Sequence, residues 1–589
     1  MKGNSAKKGN PPAQNAKVIP SNVGLVTYST AEYIRMNWLE VLNDKFDNFF
    51  HLKLDVGLNL SKRERVVSDF VKGNRLDLLI VTIGYQFFNP SFYKKLGVRK
   101  LFYFTDDDWT FNMRTRFMCQ YADIIVTPNE CLLGNYRVFN NRIFHMTWAG
   151  NPYLFEKIDC EKKYDVTFIG GPHSNRYKVL KFLKDNGVNL RIFGGGWNNY
   201  ADMKEIWGGY LSAQDVVKTI NESKIILSFL IRSTMDGYHI TGRLFEIPCA
   251  GGFQLCDDYE EVYEYYKKDK EISVFSSKED LLEKINYYLQ NEQEREEIAR
   301  KAYIRTMKEY TWPIRFKKLF EKLAEMDWEH YRAPEPYISD RKIAILYSPK
   351  NDKIERNVLE SINTQTLPNV TLYILSDSEI TNLTKIKYPC KIISKRDIKE
   401  MELHSDYLGY IEDGDQWEPE KLQFQAFALE QDEKEGIYAS FAGWGIYRSN
   451  RRDEFATYFL RWLRDYAGEN RLVKDCIFAS CLMFNLGKFA KDEQSLLIDY
   501  AVRNNSKLIE KIFLDKKYYR FIDIGISLVR ITEKRFWNLL KKLNFEDSFK
   551  VLRTGMRLDI RKYLVNLTLG FNVKKIYFLL RIFLRKRGE

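Results

Sequence analysis

Gly242-Arg243-Leu244-Phe245-Glu246-Ile247-Pro248-Cys249-Ala250-Gly251-Gly252-Phe253 reads as a short helix that ends in a Pro/Gly loop and leads into an apolar strand, Phe253–Cys256. An acid lies inside the helix, an arginine stands one turn before it, and two glycines follow. That combination suits a phosphorylated, ribose-bearing ligand. A carboxylate can accept from both ribose hydroxyls, and a guanidinium can pair with a diphosphate. Glycines let backbone N–H groups come close to a ligand. The competing interpretation is a surface helix with a glycine C-cap.

Outward from this stretch, strands alternate with helices. Asp165–Ile169, Leu190–Phe193, Lys224–Phe229 and Ile272–Phe275 are short apolar runs, with helices expected from about Asn175, over Lys278–Asn291 and Gln293–Tyr310, and at Trp312–Ala324. An earlier series holds Asn22–Tyr28, Leu76–Ile83, Lys100–Phe104 and Asp123–Thr127, with a helix at Tyr33–Leu42. Such alternation argues for parallel α/β sheets, and two Rossmann-like halves leave a ligand cleft between them. A third series follows the linker Ala333-Pro334-Glu335-Pro336. It comprises strands at Lys342–Tyr347, Thr371–Leu375 and Tyr407–Ile411, with a helix over about Ile354–Gln365.

The R-x-F-E-I-P-x-x-G-G pattern resembles the donor-binding half of GT-B glycosyltransferases, especially the spore-maturation-protein-like (CgeB-type) group. The resemblance implies a nucleotide-sugar donor held by Gly170, Gly171, Arg176, Arg243, Glu246, Gly251 and Gly252, with Glu246 on the ribose and no metal required. Many retaining enzymes of this class carry an acid eight residues before the ribose glutamate. Here that position is Tyr238, so donor binding is carried over and a retaining mechanism is not. An inverting enzyme needs a base, usually from the first half. Thr105-Asp106-Asp107-Asp108-Trp109 follows a strand, and crowded carboxylates raise one another's pKa. Asp107 and Asp108 are therefore candidates, against a helix N-cap with solvated acids. His239 is a further cleft candidate, although a lone histidine is more often structural.

The third series resembles family-2 GT-A glycosyltransferases. Leu359–Asn369 is similar to that family's first helix and turn, and Asp377 stands where its nucleotide-binding acid is expected. Tyr410-Ile411-Glu412-Asp413-Gly414-Asp415-Gln416-Trp417-Glu418-Pro419-Glu420-Lys421-Leu422 is similar to its D-x-D strand end followed by W-x-P-x-K-L. Carboxylates at i and i+2 can face one hard cation, so Asp413 and Asp415 are expected to hold Mg²⁺ or Mn²⁺ against a departing diphosphate. Lys491–Arg503 resembles the E-D-Y segment, which makes Asp499 the implied base. The family's preceding acid is Ile498 here, and its glycine-rich acceptor loop is hard to find.

The net charge of +13 is unevenly spread. Residues 505–589 hold 21 Lys+Arg against 8 Asp+Glu, an excess equal to that of the whole chain. Trp537–Leu543 and Ile576–Arg587 read as basic amphipathic helices suited to an anionic membrane surface. Packing on the GT-A module or an oligomer contact would serve them as well. No nucleic-acid motif accompanies the charge. The eight cysteines are scattered, with no C-x-x-C, and the apolar settings of Cys249, Cys256 and Cys481 point to buried thiols in a reducing compartment. Residues 1–17 lack a signal peptide's apolar core, and no apolar run reaches the ~18 residues of a membrane span.

The expectation is an α/β chain in five parts. These are a disordered arm (1–19), the two Rossmann-like GT-B domains (20–155 and 156–330), a GT-A-like domain (341–505) and a basic helical region (506–589). It would be a cytoplasmic glycosyltransferase, peripheral at the inner membrane face and bifunctional, acting on a glycan, lipid-linked or protein acceptor. The rivals are a single active GT-B enzyme with a degenerate GT-A scaffold, and a non-catalytic membrane or RNA adaptor.

Overall fold

The computed structural model describes residues 20–28, 32–55, 60–83, 90–105, 107–172, 175–232, 237–238, 240–326, 335–350, 353–381, 383–397, 401–435, 439–448, 451–453, 482–503 and 519–530. The arm 1–19, His239 and the two basic segments at 537–543 and 576–587 lie outside the described residues. The chain divides into two compact units, one of Met1–Phe87 and Tyr93–Glu335 and the other of Phe88–Phe92 and Pro336–Glu589.

The first half of unit one is a six-stranded, all-parallel sheet. Its strands are β1 (Asn22–Tyr28), β2 (Asn48–Leu54), β3 (Leu78–Ile83), β4 (Arg99–Phe104), β5 (Ile124–Thr127) and β6 (Ile143–His145), in the order β2-β1-β3-β4-β5-β6. Val23, Leu25, Val26 and Tyr28 of β1 are all buried, the near-continuous apolar run of a strand covered on both faces. The chain runs from β1 outward to β2, then crosses to the other side of β1. That reversal places a crevice at the carboxyl ends of β1 and β3. Helix α1 (Glu32–Lys45) follows β1, and α2 (Leu60–Gly73) joins β2 to β3.

The second half repeats the scheme with five parallel strands: β7 (Tyr164–Ile169), β8 (Leu190–Phe193), β9 (Ser223–Ser228), β10 (Gln254–Asp257) and β11 (Ser273–Phe275). Their order is β11-β10-β9-β7-β8, with its reversal between β7 and β9. Helix α3 (Arg176–Asp185) follows β7, and α4 (Ala213–Asn221) precedes β9 behind a Ser212/Asp215 capping box. Helix α5 (Arg243–Cys249) precedes β10. Helices α6 (Lys278–Gln290), α7 (Glu292–Glu309) and α8 (Trp312–Ala324) close the unit.

Helix α8 buries Trp312, Phe316, Leu319, Phe320 and Leu323, one stripe at helical spacing. The stripe faces the first half. Trp38 of α1 meets Trp312 and Phe316 edge-on, with ring centroids 5.4 and 5.2 Å apart, and Phe46 meets Phe320 at 4.8 Å. Such pairs contribute about 0.5–1.5 kcal/mol each beyond area burial. One hydrophobic cluster consequently runs through both halves, from Val23 and Leu25 to Phe245 and Leu323.

Unit two is a mixed sheet. Strands β12 (Ile343–Tyr347), β13 (Val370–Leu375), β14 (Cys390–Ile393) and β15 (Tyr407–Ile411) run parallel in the order β14-β13-β12-β15. The path continues through β19 (Leu482–Asn485), β17 (Ala439–Arg448) and β20 (Tyr519–Arg530) to the short β16 (Gln416–Trp417), while β18 (Arg451–Asp453) pairs with β17. Helices α9 (Arg356–Asn363), α10 (Lys421–Gln431) and α11 (Lys491–Arg503) complete the described part.

Strand β20 corrects the expected boundary at 505. Residues 519–530 are not helix but a strand inside this sheet, parallel to β17 and antiparallel to β16. Among the described residues, no helix is long and apolar enough to cross a membrane.

Candidate functional sites

In unit one the decisive stretch forms α5 as expected, and Glu246 is 1% exposed within it. One carboxylate oxygen, Oε2, accepts from Arg243 Nη1. The other, Oε1, is buried and has no hydrogen-bond partner among the described residues. Facing it is Tyr33, from the first turns of α1 at the carboxyl end of β1. The two groups approach over Gly242. A Cβ added there would stand 2.2 Å from the Tyr33 hydroxyl oxygen and 3.1 Å from Glu246 Oε1, so only glycine lets them meet. The Tyr33 hydroxyl is itself buried without a well-formed hydrogen bond. Burial, next the Glu246 charge and then a loose contact of the hydroxyl with the Glu246 carboxylate push its pKa well above the usual tyrosine range, so the hydroxyl keeps its proton. Orphaned buried polar atoms are costly and point to a missing ligand group. Tyr33 was not foreseen as part of this site, since it lies in the other half of the unit.

The remaining expected donor residues divide. Arg176 sits at the reversal between β7 and β9, with its guanidinium 5.7 Å over the Phe168 ring and Nη2 donating to the Phe229 carbonyl at 3.0 Å. Gly171 follows β7 at that same crevice and is half-buried. Gly170 does not offer its N–H to a ligand: it donates to the Phe193 carbonyl at 2.9 Å, and the Gly170 carbonyl accepts from Trp197 Nε1 at 2.7 Å.

Gly251 and Gly252 are corrected in the same way. Gly251 N–H donates to the Pro248 carbonyl and Gly252 N–H to the Ile247 carbonyl, both at 2.9 Å, with Gly251 at φ 74°. The pair caps α5 in the manner of a Schellman turn. A Cβ on Gly252 would stand 2.8 Å from both Ile220 Cγ2 and Ile226 Cδ1. Gly252→Ala is expected to destabilise unit one by about 1–3 kcal/mol through overpacking, read as a lower urea midpoint.

Asp107 differs from the crowded, solvent-facing base that was expected. It is fully buried. Its Oδ2 accepts from Thr127 at 2.6 Å and Tyr136 at 3.0 Å, and its Oδ1 from Asn129 at 2.5 Å. These neutral donors fix the loops after β4 and β5 and make Asp107 a structural carboxylate. The side chain of Asp108, like His239, lies outside the described residues. Two further histidines have defined partners: His51 lies at the middle of β2, and His145 ends β6. His51 Nε2 lies 2.8 Å from Thr27 Oγ1, and His145 Nε2 lies 3.2 Å from the Pro128 carbonyl, which can only accept. His145 therefore carries its proton on Nε2 and leaves Nδ1 as an acceptor.

Burial lowers the pKa of both histidines, so their folded values lie below the usual ~6.5. Below that pH the unfolded chain binds more protons than the folded one. Stability is then lost as pH falls through about 6.5, until the lower folded values are passed. The urea midpoint is expected to drop between pH 7.5 and 5.5, and His51→Gln or His145→Gln should each flatten the slope.

In unit two, β15 runs into the turn Glu412-Asp413-Gly414-Asp415, with Gly414 at φ 85°. Asp413 and Asp415 are both buried. Asp413 Oδ1 accepts from the Tyr347 hydroxyl at the end of β12, and Oδ2 accepts from Lys350 N–H at 2.9 Å. Strands β12 and β15 are the neighbours at which this sheet's order reverses, the usual place for a ligand crevice. Each Asp413 oxygen keeps one lone pair, so the two aspartates suit a hard divalent cation whose shell substrate oxygens complete. Among the described residues no group of three or more His, Cys, Asp or Glu is placed to hold a metal. Asp377 is exposed after β13. Its Oδ1 accepts from Ser394 Oγ at 2.7 Å and Lys395 N–H at 3.0 Å, and the Ser394 bond chiefly holds its carboxyl below the usual range.

The W-x-P-x-K-L segment has a structural explanation. Lys421 Nζ lies 4.0 Å from the Trp417 ring centroid, a cation–π contact inside the fold. Gln365 binds the segment to α9, donating to the Glu418 carbonyl at 2.9 Å and accepting from Leu422 N–H at 3.1 Å. The backbone of Asp499 lies on α11, which the Tyr410 hydroxyl ties to β15 through the Leu497 carbonyl at 2.7 Å; its side chain lies outside the described residues. Cys249 and Cys256 are buried thiols, with burial pushing Cys249 up to about 12, and Cys481 lies outside the described residues.

Residues 176–321 match the family described as Glycosyl transferase-like. The matched segment runs from Arg176 into α8 and contains Arg243 and Glu246. No curated protein matches in sequence. Among solved structures, TarM is similar at 12% identity and a TM-score of 0.34, over 45% of this chain and 58% of that one, so the chain spans little more than half of TarM's length. Sucrose-phosphate synthase from Thermosynechococcus elongatus gives 9% and 0.39, covering 51% of this chain and 99% of that one. Anabaena HepE in complex with UDP-glucose gives 7% and 0.41, covering 52% and 100%.

Proposed function

We propose that this protein is a glycosyltransferase whose first unit, of GT-B type, binds a nucleotide-sugar donor in the cleft between its two parallel sheets. The observation that carries this reading is the buried, unpartnered Oε1 of Glu246 beside the Arg243 ion pair. The donor's ribose hydroxyls would donate to that carboxylate, and the diphosphate would lie towards the exposed side of Arg243. The Glycosyl transferase-like match over the same segment supports it.

In the transfer, the bond from the anomeric carbon to the diphosphate oxygen breaks and a bond to an acceptor oxygen forms. The acceptor hydroxyl loses its proton to a base, and the nucleoside diphosphate leaves with its added charge. Arg243 would stabilise that charge as it develops. In the first half of the unit, Nδ1 of His145 is better suited to take the proton than the enclosed Asp107.

We further propose that unit two is a GT-A-like module. The alternation of parallel and antiparallel strands and the aspartate turn at the β12/β15 reversal support this. Asp413 and Asp415 would hold Mg²⁺ or Mn²⁺, which when bound neutralises a leaving diphosphate. Asp377 would approach the donor's nucleoside, and Asp499 would serve as base. A second reading makes this module a scaffold. It is favoured by Asp413, both of whose oxygens already accept hydrogen bonds within the fold. The acceptor would be a glycan, lipid-linked or protein, and the basic surplus after 505 supports attachment to an anionic membrane face.

The test is hydrolysis of a panel of nucleotide sugars by the full chain. Release of a nucleoside diphosphate from at least one donor is expected. No turnover, together with no nucleotide-sugar binding by calorimetry, would leave the non-catalytic adaptor.

A further inference from the structure

Among the described residues of unit one, Arg315 takes part in no ion pair. Arg315, on α8, has Nε and Nη2 sealed from solvent with no hydrogen-bond partner among the described residues. Its guanidinium is covered by two rings, Phe245 at 5.8 Å and Tyr310 at 5.3 Å. The two sealed donors belong to a planar fork of N–H groups that is shaped for a carboxylate or phosphate. Arginine cannot shed its proton to relieve the cost of burial. Glu130, Glu261 and Glu264 act on the same Tyr265 as Arg315, yet none comes within ion-pair distance of it among the described residues. Arg315 as a whole is half-buried, but sealing two donors without partners is costly, so the fold retains here a group that a ligand would satisfy.

Position indicates which ligand. Phe245, which covers one face, is the residue before Glu246. Tyr103, near the carboxyl end of β4, acts electrostatically on both Tyr33 and Arg315. His145, at the end of β6, also feels Arg315. Arg315 thus lies beside the helix that carries the Arg243–Glu246 pair, within electrostatic reach of Tyr103 and His145 in the first half.

We propose that Arg315 forms a second anion subsite in this cleft, one that takes an acidic oxyanion group, phosphate or carboxylate, on the acceptor. The inference rests on the donor reading of unit one. Its test is calorimetric titration of the UDP-saturated full chain with inorganic phosphate and with glucuronate, at constant ionic strength. Wild type is expected to bind at least one probe, Arg315→Met to weaken that binding at least about tenfold, and Arg315→Lys to fall between them. UDP affinity should stay within about twofold in both variants. Because the removed charge is unpaired, Arg315→Met should unfold at the same temperature as wild type or higher.

Absence of probe binding by wild type would overturn the proposal. So would equal binding by Arg315→Met, or a variant that unfolds several degrees lower, which would make Arg315 a packing residue. A tenfold loss of UDP affinity in Arg315→Met would assign the residue to the donor instead. Absence of UDP binding in wild type shows only that the donor carries another nucleotide, whereas failure of the donor reading shows as absence of binding by every nucleotide sugar of the panel, and the probes are then titrated into the nucleotide-free chain.

Discussion

Glu246→Gln is expected to weaken nucleotide-sugar binding by about 100-fold and to abolish the associated turnover. Each hydrogen bond to a charged acceptor contributes about 1.5–3 kcal/mol, and the ribose would make two. The amide is nearly isosteric but offers one acceptor oxygen in place of two. Whichever way it turns, either Arg243 or the ribose meets an N–H group. Arg243 would also lose the carboxylate that orients it, so the diphosphate contact suffers as well. Calorimetric titration with the best donor of the panel reads the effect directly. A change of less than twofold would remove the basis for placing the ribose at α5. Tyr33→Phe supplies a second reading, because it removes the facing hydroxyl without touching the ion pair.

Asp413→Asn should eliminate whatever sugar transfer depends on Mn²⁺, with a loss of at least about 100-fold, while turnover that survives EDTA persists. The substitution removes a carboxylate from the proposed cation pair. It also leaves the Tyr347 hydroxyl or Lys350 N–H without its acceptor, at a cost of about 1–3 kcal/mol to unit two. The stability loss must be separated from the chemical one. Tyr347→Phe alone removes a hydroxyl and spares the carboxylates, so it should cost stability with less effect on metal dependence. Persistence of all metal-dependent turnover in a folded Asp413→Asn protein would make the module a scaffold. Donor hydrolysis with Mn²⁺ and with EDTA on both variants decides it.

Most parallel strands were legible because they are short apolar runs buried on both faces, as in Leu78–Thr82 and Ile124–Thr127, whereas the half-buried β6 and β14 were not read. Strand β2 was not, since Asn48–Leu54 mixes polar and half-buried residues at the sheet edge and shows no clean period. The basic context of residues 519–530 masked a strand whose partners lie about eighty residues earlier, and membership of a sheet is not a local property. The Glu246–Arg243 pair was readable because its members share one helical turn. Tyr33 was not, because the contact joins residues more than two hundred positions apart. At Gly251 and Gly252 a helix cap and a ligand loop call for the same residue type, and only the partner of each N–H decides between them. Asp107 was misjudged for a related reason: the donors that enclose it come from Thr127, Asn129 and Tyr136, which no pattern around the aspartate reveals.

Strand β20 also constrains the order of events during synthesis. Residues 416–417, directly after the aspartate turn, pair with residues 527–528, and β17 lies along the same strand. A ribosome that has released Asp415 must add more than a hundred residues before that turn gains its last neighbour. Until then β17 presents one row of unpaired backbone groups, an edge open to other chains. A product ending near residue 505 would keep every side chain assigned to the second site and still lack the strand that borders it. Such a fragment should be recovered as aggregate, and chaperone demand in the cell should peak while the last eighty residues are still being made.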